Sequence, residues 1–215
     1  MHFEFLVEGQ CELTALSIWM PKIIGEYKNP HTWKIHKHRG LGKLMEDMSA
    51  KPHPADNTLL HNLPSKLRAY GASNKTDLVV VTLVDLDDHS DCREFKRQLL
   101  STLQTCNTQP QAMFRIAIEE LEAWFLGDPQ AVFQAYPDAD RRIIHGYSYD
   151  TPCGTWELLM KAVNPSFHII PSAKRSPRTL EEKVKIARKI APKMDIERNA
   201  SPSFQAFRDG IRKWL

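Results

Sequence analysis

Hydrophobic positions along the chain alternate between strand-like runs and stretches with helical spacing. Residues 78–84 form an uninterrupted, valine-rich apolar run, which predicts a strand buried on both faces in the middle of a parallel sheet. Three further strands are predicted at residues 2–7, 32–36 and 113–118. Strands separated by helices predict an α/β fold, with a mostly parallel central sheet flanked by helices.

Helical spacing is found throughout the rest of the chain, and the sequence carries capping and breaking signals. Pro21 is expected to kink or interrupt the first helix and Pro64 to shorten the second. A capping box from Thr179 to Glu182 and a cap at Ser201 are predicted for the last two helices. The predicted helices span residues 13–24, 59–70, 91–106, 123–126, 156–163, 179–190 and 202–214. We divide the chain into an α/β core, residues 1–135, and a C-terminal extension packed on it, residues 136–215, which is irregular over residues 137–178 apart from one helix.

Acidic side chains follow several of the predicted strands at the point where each strand ends. Glu8 follows the first strand, Asp85 and Asp87 follow the valine-rich strand, and Glu122 lies just beyond the fourth. Open α/β sheets bind ligands at the carboxyl ends of their strands, so we expect these carboxylates to meet at one edge. Extended backbone alternates, which predicts that Asp85 and Asp87 project the same way.

Carboxylates gathered in this way repel one another unless a cation neutralises them. An all-oxygen site suits Mg²⁺ or Mn²⁺, and such ions assist phosphodiester cleavage. We predict metal ligation by Glu8, Asp85, Asp87 and Glu122, and catalytic roles for Glu8, Asp85 and Asp87 together with Glu12. The alternative is a solvated acidic turn in which Ser90 or Asp91 caps the next helix.

Composition and charge fit a globular protein that acts on a polyanion. The chain has 42% hydrophobic and 26% charged residues and a net charge of +3. Residues 77–128 hold ten acidic and four basic side chains, whereas residues 173–215 hold twelve basic and five acidic. We expect Arg39, Lys43, Lys174 and Arg175 to hold the substrate backbone. The four cysteines are widely spaced, which predicts free thiols. We also expect no signal peptide and no membrane span, which predicts a cytoplasmic protein.

Several motifs carry a family resemblance. The segments F-L-V-E-G-Q-C-E and V-V-T-L-V-D-L-D-D resemble the Toprim fold of topoisomerases, primases and overcoming-lysogenization-defect nucleases. The segments H-K-H-R-G-L-G-K-L, I-E-E-L-E-A-W-F-L-G-D and S-P-S-F-Q-A-F resemble a bacterial Toprim-like family catalogued as a domain of unknown function. This resemblance implies metal binding by Glu8, Asp85 and Asp87, supported by Glu12 and Glu122. Trp124 and Phe125 in the second motif are expected in the core.

The predicted function is Mg²⁺-dependent cleavage of DNA or RNA. The resemblance implies an effector of phage defence with an ATPase partner protein, and we allow for a homodimer. One alternative is phosphoryl transfer through an aspartyl-phosphate at Asp85, which an Asp at a strand end beside further acids also suits. The other is a non-catalytic Toprim-like module that regulates a partner or binds nucleic acid.

Overall fold

The four strands of the described chain form one parallel sheet. The structure is a computed structural model that describes residues 1–87, 89, 91–167 and 176–215. The strand order is β2-β1-β3-β4, and every neighbouring pair is parallel. The strands are β1 His2–Val7, β2 Thr32–Lys37, β3 Leu78–Asp85 and β4 Gln111–Ala117. The predicted α/β class and parallel sheet are confirmed.

The valine-rich strand β3 lies in the interior of the sheet, between β1 and β4. All eight of its residues are buried, which confirms the prediction for residues 78–84 and extends it to Asp85. Leu6 of β1 pairs with Thr82, and Asp85 pairs with Ala117 of β4. Continuing the first register by two residues sets Glu8 level with Val84. The carboxyl ends of the three strands therefore lie side by side.

Helices fill the connections and most of the C-terminal part. The helices predicted from periodicity are present with shifted ends. Two short helices that were not predicted, α5 and α6, precede α7. The second of these lies in a stretch that we expected to be irregular. The helices are α1 Gln10–Ile24, α2 Leu59–Ala72, α3 Cys92–Ser101, α4 Glu122–Leu126, α5 Pro129–Ala135, α6 Arg141–His145, α7 Thr155–Val163, α8 Pro177–Ile190 and α9 Pro202–Arg212, with a 3₁₀ turn at Thr102–Thr105 after α3.

Two predictions about helix ends are wrong. Pro64 does not shorten α2, because the helix continues through this buried residue to Ala72. The capping box at Thr179 is also absent, because α8 begins two residues earlier. Ser176 caps it by accepting a hydrogen bond from the Thr179 N–H at 3.2 Å, and Pro177 occupies the first helical position, where its missing N–H costs nothing.

The sheet separates two apolar layers. On one face Phe3, Phe5 and Val7 pack with α1 and with helices of the C-terminal part, and on the other Leu6 packs with α2 and α3. Helices α8 and α9 both contact α1, and α9 also contacts β4. None of the described helices combines the length and apolar character needed to cross a bilayer.

The aromatic motif of the fourth connection belongs to the core. Trp124 and Phe125 are completely buried, as predicted. The Trp124 ring packs 5.4 Å from the Phe204 ring of α9, and its Nε1 donates a hydrogen bond of 2.7 Å to Ser203 Oγ. This motif and the terminal Phe motif therefore stabilise each other. Their role in the described structure is packing.

Candidate active site

The carboxylates of β1 and β3 meet at the carboxyl edge of the sheet. Glu8 Oε1 accepts a hydrogen bond of 2.8 Å from the backbone N–H of Asp85. Both residues are buried, with exposed fractions of 9% and 8%. Asp85 Oδ1 is buried and accepts no hydrogen bond within the described part of the chain. The sequence-predicted pair Glu8 and Asp85 is thus brought together, with one carboxylate oxygen left over.

Glu12 joins this pair from the first turn of α1. Its Oε2 accepts a hydrogen bond of 2.8 Å from the Gly9 N–H, which satisfies an amide at the helix start. The side chain is nonetheless buried, at 7% exposed, and lies close enough to Asp85 to raise its pKa. Glu12 is therefore both a helix cap and a member of the acidic cluster, which we define as Glu8, Glu12, Asp85, Asp87 and Glu122.

Asp87 reaches the cluster through a turn. Strand β3 ends at Asp85, and Asp87 adopts a left-handed backbone with φ of 45°. Its N–H donates to the carbonyl oxygen of Glu119 at 2.8 Å, and Glu119 is also left-handed, with φ of 65°. Asp tolerates this region better than most residues. The half-buried Asp87 carboxylate raises the pKa of Glu12, so the two are neighbours, although the extended alternation that we predicted ends before Asp87.

The first two glutamates after β4 hold the start of α7. Glu119 accepts backbone hydrogen bonds from Cys153, Gly154 and Thr155 at 2.7–3.0 Å. Glu120 Oε2 accepts one from Trp156 at 3.2 Å. Carboxylates at a helix N-terminus accept hydrogen bonds from its free amides and interact favourably with the positive end of the helix dipole. Glu119 is consequently an anchor for α7, which the sequence alone did not reveal.

Glu122 turns inward from the first residue of α4 and meets a lysine from α8. It is 1% exposed, and its Oε2 lies 3.4 Å from Lys183 Nζ. The same ammonium is 2.9 Å from Glu120 Oε1 and 5.3 Å from the centre of the Trp156 ring. Glu122 Oε1 is buried and accepts no hydrogen bond from the described residues. Lys183 thus supplies positive charge at the cluster.

Burial and mutual repulsion shift three carboxylates of the cluster toward their protonated forms. Burial, followed by the charges of Glu8 and Glu12, raises the pKa of Asp85 well above its ordinary value. Burial likewise raises the pKa of Glu12, and it raises that of Glu122 to about 7. Lys183 opposes all three shifts, and the surrounding carboxylates raise its own pKa, so it remains an ammonium ion.

Cys11 borders the cluster without strengthening its chemistry. Its buried thiol donates to the carbonyl oxygen of Lys183 at 3.6 Å. Burial, then the charges of Glu122 and Glu12, raise the pKa of Cys11 well above the usual thiol value. A protonated thiol is a poor nucleophile. All four cysteines are free, as predicted.

The donor chemistry of the cluster suits a hard divalent cation, but its present arrangement does not. Carboxylate oxygens are the ligands that Mg²⁺ and Mn²⁺ prefer, and Asp85 Oδ1 and Glu122 Oε1 are buried acceptors without hydrogen bonds from the described chain. Among the same residues, no group of three or more His, Cys, Asp or Glu side chains is arranged to hold a metal ion. Lys183 provides the positive charge instead.

The predicted phosphate-binding residues lie in the loop after β2 or outside the described residues. Arg39 is exposed and lines a shallow open cleft with His53, Ala55, Asp56, Asn57 and Thr58. The neighbouring N–H of Gly40 donates to the carbonyl oxygen of Glu8 at 3.0 Å, which sets Arg39 near the end of β1. Lys43 is exposed farther along this loop. Lys174 and Arg175 lie outside the described residues.

Leu41 and Gly42 of this loop serve packing. Leu41 is buried in the layer that contains α2, and a Cβ on Gly42 would fall 2.0 Å from Thr58 Oγ1. Gly42 also has a positive φ of 70°, so the position strongly favours glycine. The amides of Arg39 and Gly40 are already bonded to the carbonyl oxygens of Asn57 and Glu8. These two amides are not available to bind phosphate.

Lys183 is the site residue that sequence reasoning missed. It occupies the inward stripe of α8, because the buried residues Thr179, Ile186, Ala187 and Ile190 are separated from it by three, four or seven positions. A lysine within an apolar stripe is unusual unless it is paired. This break in periodicity was the available signal. Its partners come from a different connection and could not be identified from spacing.

Comparison with known proteins places the chain in a family without assigning its chemistry. Residues 7–212 match the family described as "Domain of unknown function (DUF4276)". No curated protein and no solved structure gives a significant match. The match covers every member of the acidic cluster and Lys183. The chain therefore belongs to the DUF4276 family.

Proposed function

We propose that the chain is a Mg²⁺- or Mn²⁺-dependent nuclease that cleaves phosphodiester bonds in DNA or RNA. The observation that carries this proposal is the burial of Glu8, Glu12, Asp85 and Glu122 at one sheet edge. Burying several carboxylates around one ammonium costs folding free energy, and proteins accept such costs mainly at functional sites. The Toprim resemblance of the same strand ends supports the assignment.

The surroundings of each residue suggest which role it would have in the reaction. Asp85 and Glu122 each have a buried oxygen without a hydrogen bond from the described residues, and with Glu8 and Asp87 they would hold the cation. The bound cation would polarise a phosphoryl oxygen and stabilise the leaving oxygen. Glu12, whose pKa is raised, is a stronger base than an ordinary glutamate and is suited to accept a proton from the attacking water.

Substrate would be held by positive charge at the edge of the cluster. Arg39 lies one residue before Gly40, whose amide is bonded to Glu8, and Lys43 follows in the same exposed loop. Both would contact backbone phosphates, which gives affinity without sequence preference. We further propose that the enzyme works in the cytoplasm with an ATPase partner protein in phage defence. The ATPase partner and the phage-defence role rest on the family resemblance.

The test is a cleavage assay with Mg²⁺ or Mn²⁺ on single- and double-stranded DNA and on RNA. Asp85→Asn and Glu8→Gln should abolish cleavage, and glutamine at position 8 still has a carbonyl oxygen for the Asp85 N–H. The matched control is Asp91→Asn in the same acidic run, since Asp91 caps α3 through the Arg93 and Glu94 amides and should leave cleavage unchanged. Wild-type cleavage by both site variants would refute the assignment.

A second candidate is a non-catalytic module that binds nucleic acid or regulates a partner. The observation in its favour is Lys183, which already supplies a positive charge to the acidic cluster without a metal ion. Such a module would bind nucleic acid equally well with and without divalent cation. It would also retain its biological activity in the Asp87→Asn variant, whereas a nuclease would lose it.

A further inference from the structure

The lysine in the acidic cluster has two carboxylate partners that differ in their surroundings. Lys183 Nζ lies 2.9 Å from Glu120 Oε1 and 3.4 Å from Glu122 Oε2. Glu120 is 13% exposed and is also fixed by the Trp156 amide, whereas Glu122 is 1% exposed. The ammonium is thus held more closely by the glutamate outside the cluster than by the one inside it.

The position of this lysine is set by packing. Helix α8 contacts α1 and α5, and the residues that follow Lys183 on its inner face, Ile186, Ala187 and Ile190, are in the main core. The Lys183 side chain is 15% exposed and runs beside the Trp156 ring toward the cluster. A rigid helix therefore delivers the ammonium, while its flexible stem allows the charged end to shift by a short distance.

A divalent cation and this ammonium require the same oxygens. Glu122 Oε2 contacts Lys183, and Glu122 Oε1 and Asp85 Oδ1 are buried without hydrogen bonds from the described chain. A cation bound by these carboxylates would repel an ammonium that remained on Glu122. Glu120 offers the ammonium another partner, because the Nζ–Oε1 contact already exists.

We infer that Lys183 is a built-in counter-ion that competes with the divalent cation for Glu122, and that Glu120 retains the ammonium when the cation enters. This inference rests on the proposed metal site. It explains why an ammonium group lies on Glu122 while no group of carboxylates among the described residues has metal-binding geometry. It also means that Lys183 and Glu120, which are not metal ligands, control the affinity for the cation.

The inference predicts opposite effects for two substitutions. Lys183→Met removes the competitor and keeps an unbranched side chain beside Trp156, so Mn²⁺ should bind roughly tenfold more tightly. Glu120→Gln removes the charge that retains the ammonium, so Lys183 should bind Glu122 more strongly and Mn²⁺ affinity should fall by about threefold or more. The control Lys185→Met removes an exposed lysine paired with Glu182 on the same helix and should leave affinity unchanged.

The experiment is calorimetric titration of the 215-residue chain with Mn²⁺ alone, with folding of each variant checked by thermal unfolding. Tighter binding by Lys183→Met and weaker binding by Glu120→Gln support the inference. If the wild type binds Mn²⁺ and Lys183→Met binds it with equal or lower affinity, the inference about Lys183 is overturned and the metal site stands. If Lys183→Met fails to fold, unchanged or tighter binding by Glu120→Gln overturns it. Absence of Mn²⁺ binding to the wild type and to every folded variant refutes the metal site and the inference together.

Discussion

The side chain of Glu8 is bonded to the backbone of Asp85: Glu8 Oε1 accepts the Asp85 N–H at 2.8 Å. This bond links the residue that follows β1 to the last residue of β3 and fixes one carboxylate beside another. The parallel register of the two strands creates the contact between Glu8 and Asp85. The sheet therefore sets the position of this pair, and α1, α4 and the turn after β3 bring the other carboxylates to it.

Replacing Asp85 with asparagine should stabilise the protein. The raised pKa of Asp85 reports that burial and the charges of Glu8 and Glu12 disfavour its ionised form. An isosteric neutral side chain removes this repulsion, so we expect a gain of about 1–2 kcal/mol in the free energy of unfolding at pH 8. Denaturant unfolding measures it. A loss of stability larger than about 1 kcal/mol would instead assign Asp85 a structural role.

The contribution of Glu122 to the free energy of unfolding should fall as pH rises from about 4.5 to about 7. Burial raises the pKa of Glu122 to about 7 from an ordinary value of 4.5, so in this interval the folded state holds a proton that the unfolded chain releases. Glu120 and Glu12 strengthen the shift and Lys183 opposes it. Glu122→Gln should reduce the fall by about 1–3 kcal/mol across this window. Parallel stability–pH curves for the two proteins would contradict the assignment.

Glu119 should matter for stability and not for metal binding. It accepts hydrogen bonds from three backbone amides at the start of α7. Glu119→Ala leaves those amides without this acceptor, and we expect a loss of about 1–2 kcal/mol in unfolding free energy. Mn²⁺ affinity measured on the folded variant should match the wild type. A variant with normal stability and impaired Mn²⁺ binding would place Glu119 in the site after all.

The sequence was sufficient to predict the strands and which carboxylates follow them, because strand burial and strand ends are local properties. The valine-rich run of β3 is one example, and the convergence of Glu8 with Asp85 follows from parallel neighbours. Tertiary contacts decide the rest. Glu119 and Glu122 are three residues apart, yet one anchors α7 and the other enters the cluster. The difference comes from their partners, since Glu119 meets the first amides of α7 and Glu122 meets Lys183 of α8. Lys183 lies 61 positions from Glu122, and spacing carries no information about that pairing.

Arg39 and Lys43 should contribute to nucleic-acid affinity without affecting stability. Both are exposed, and Arg39 lies near the carboxyl end of β1. Replacing either with alanine should weaken binding about three- to tenfold at low salt and reduce the salt dependence of the affinity. The control is Lys75→Ala, at the opposite edge of the sheet before β3, which should bind normally. Equal losses in all three variants would show that general positive charge, and not this loop, holds the substrate.

The most direct test of the central claim is Mn²⁺ binding by the wild type compared with Asp85→Asn, with Asp91→Asn as the control. The account predicts that the wild type and Asp91→Asn bind Mn²⁺ with equal affinity and that Asp85→Asn binds at least roughly tenfold more weakly while remaining folded. Equal Mn²⁺ affinity for Asp85→Asn and the wild type would contradict the claim that the strand-end carboxylates form a metal site.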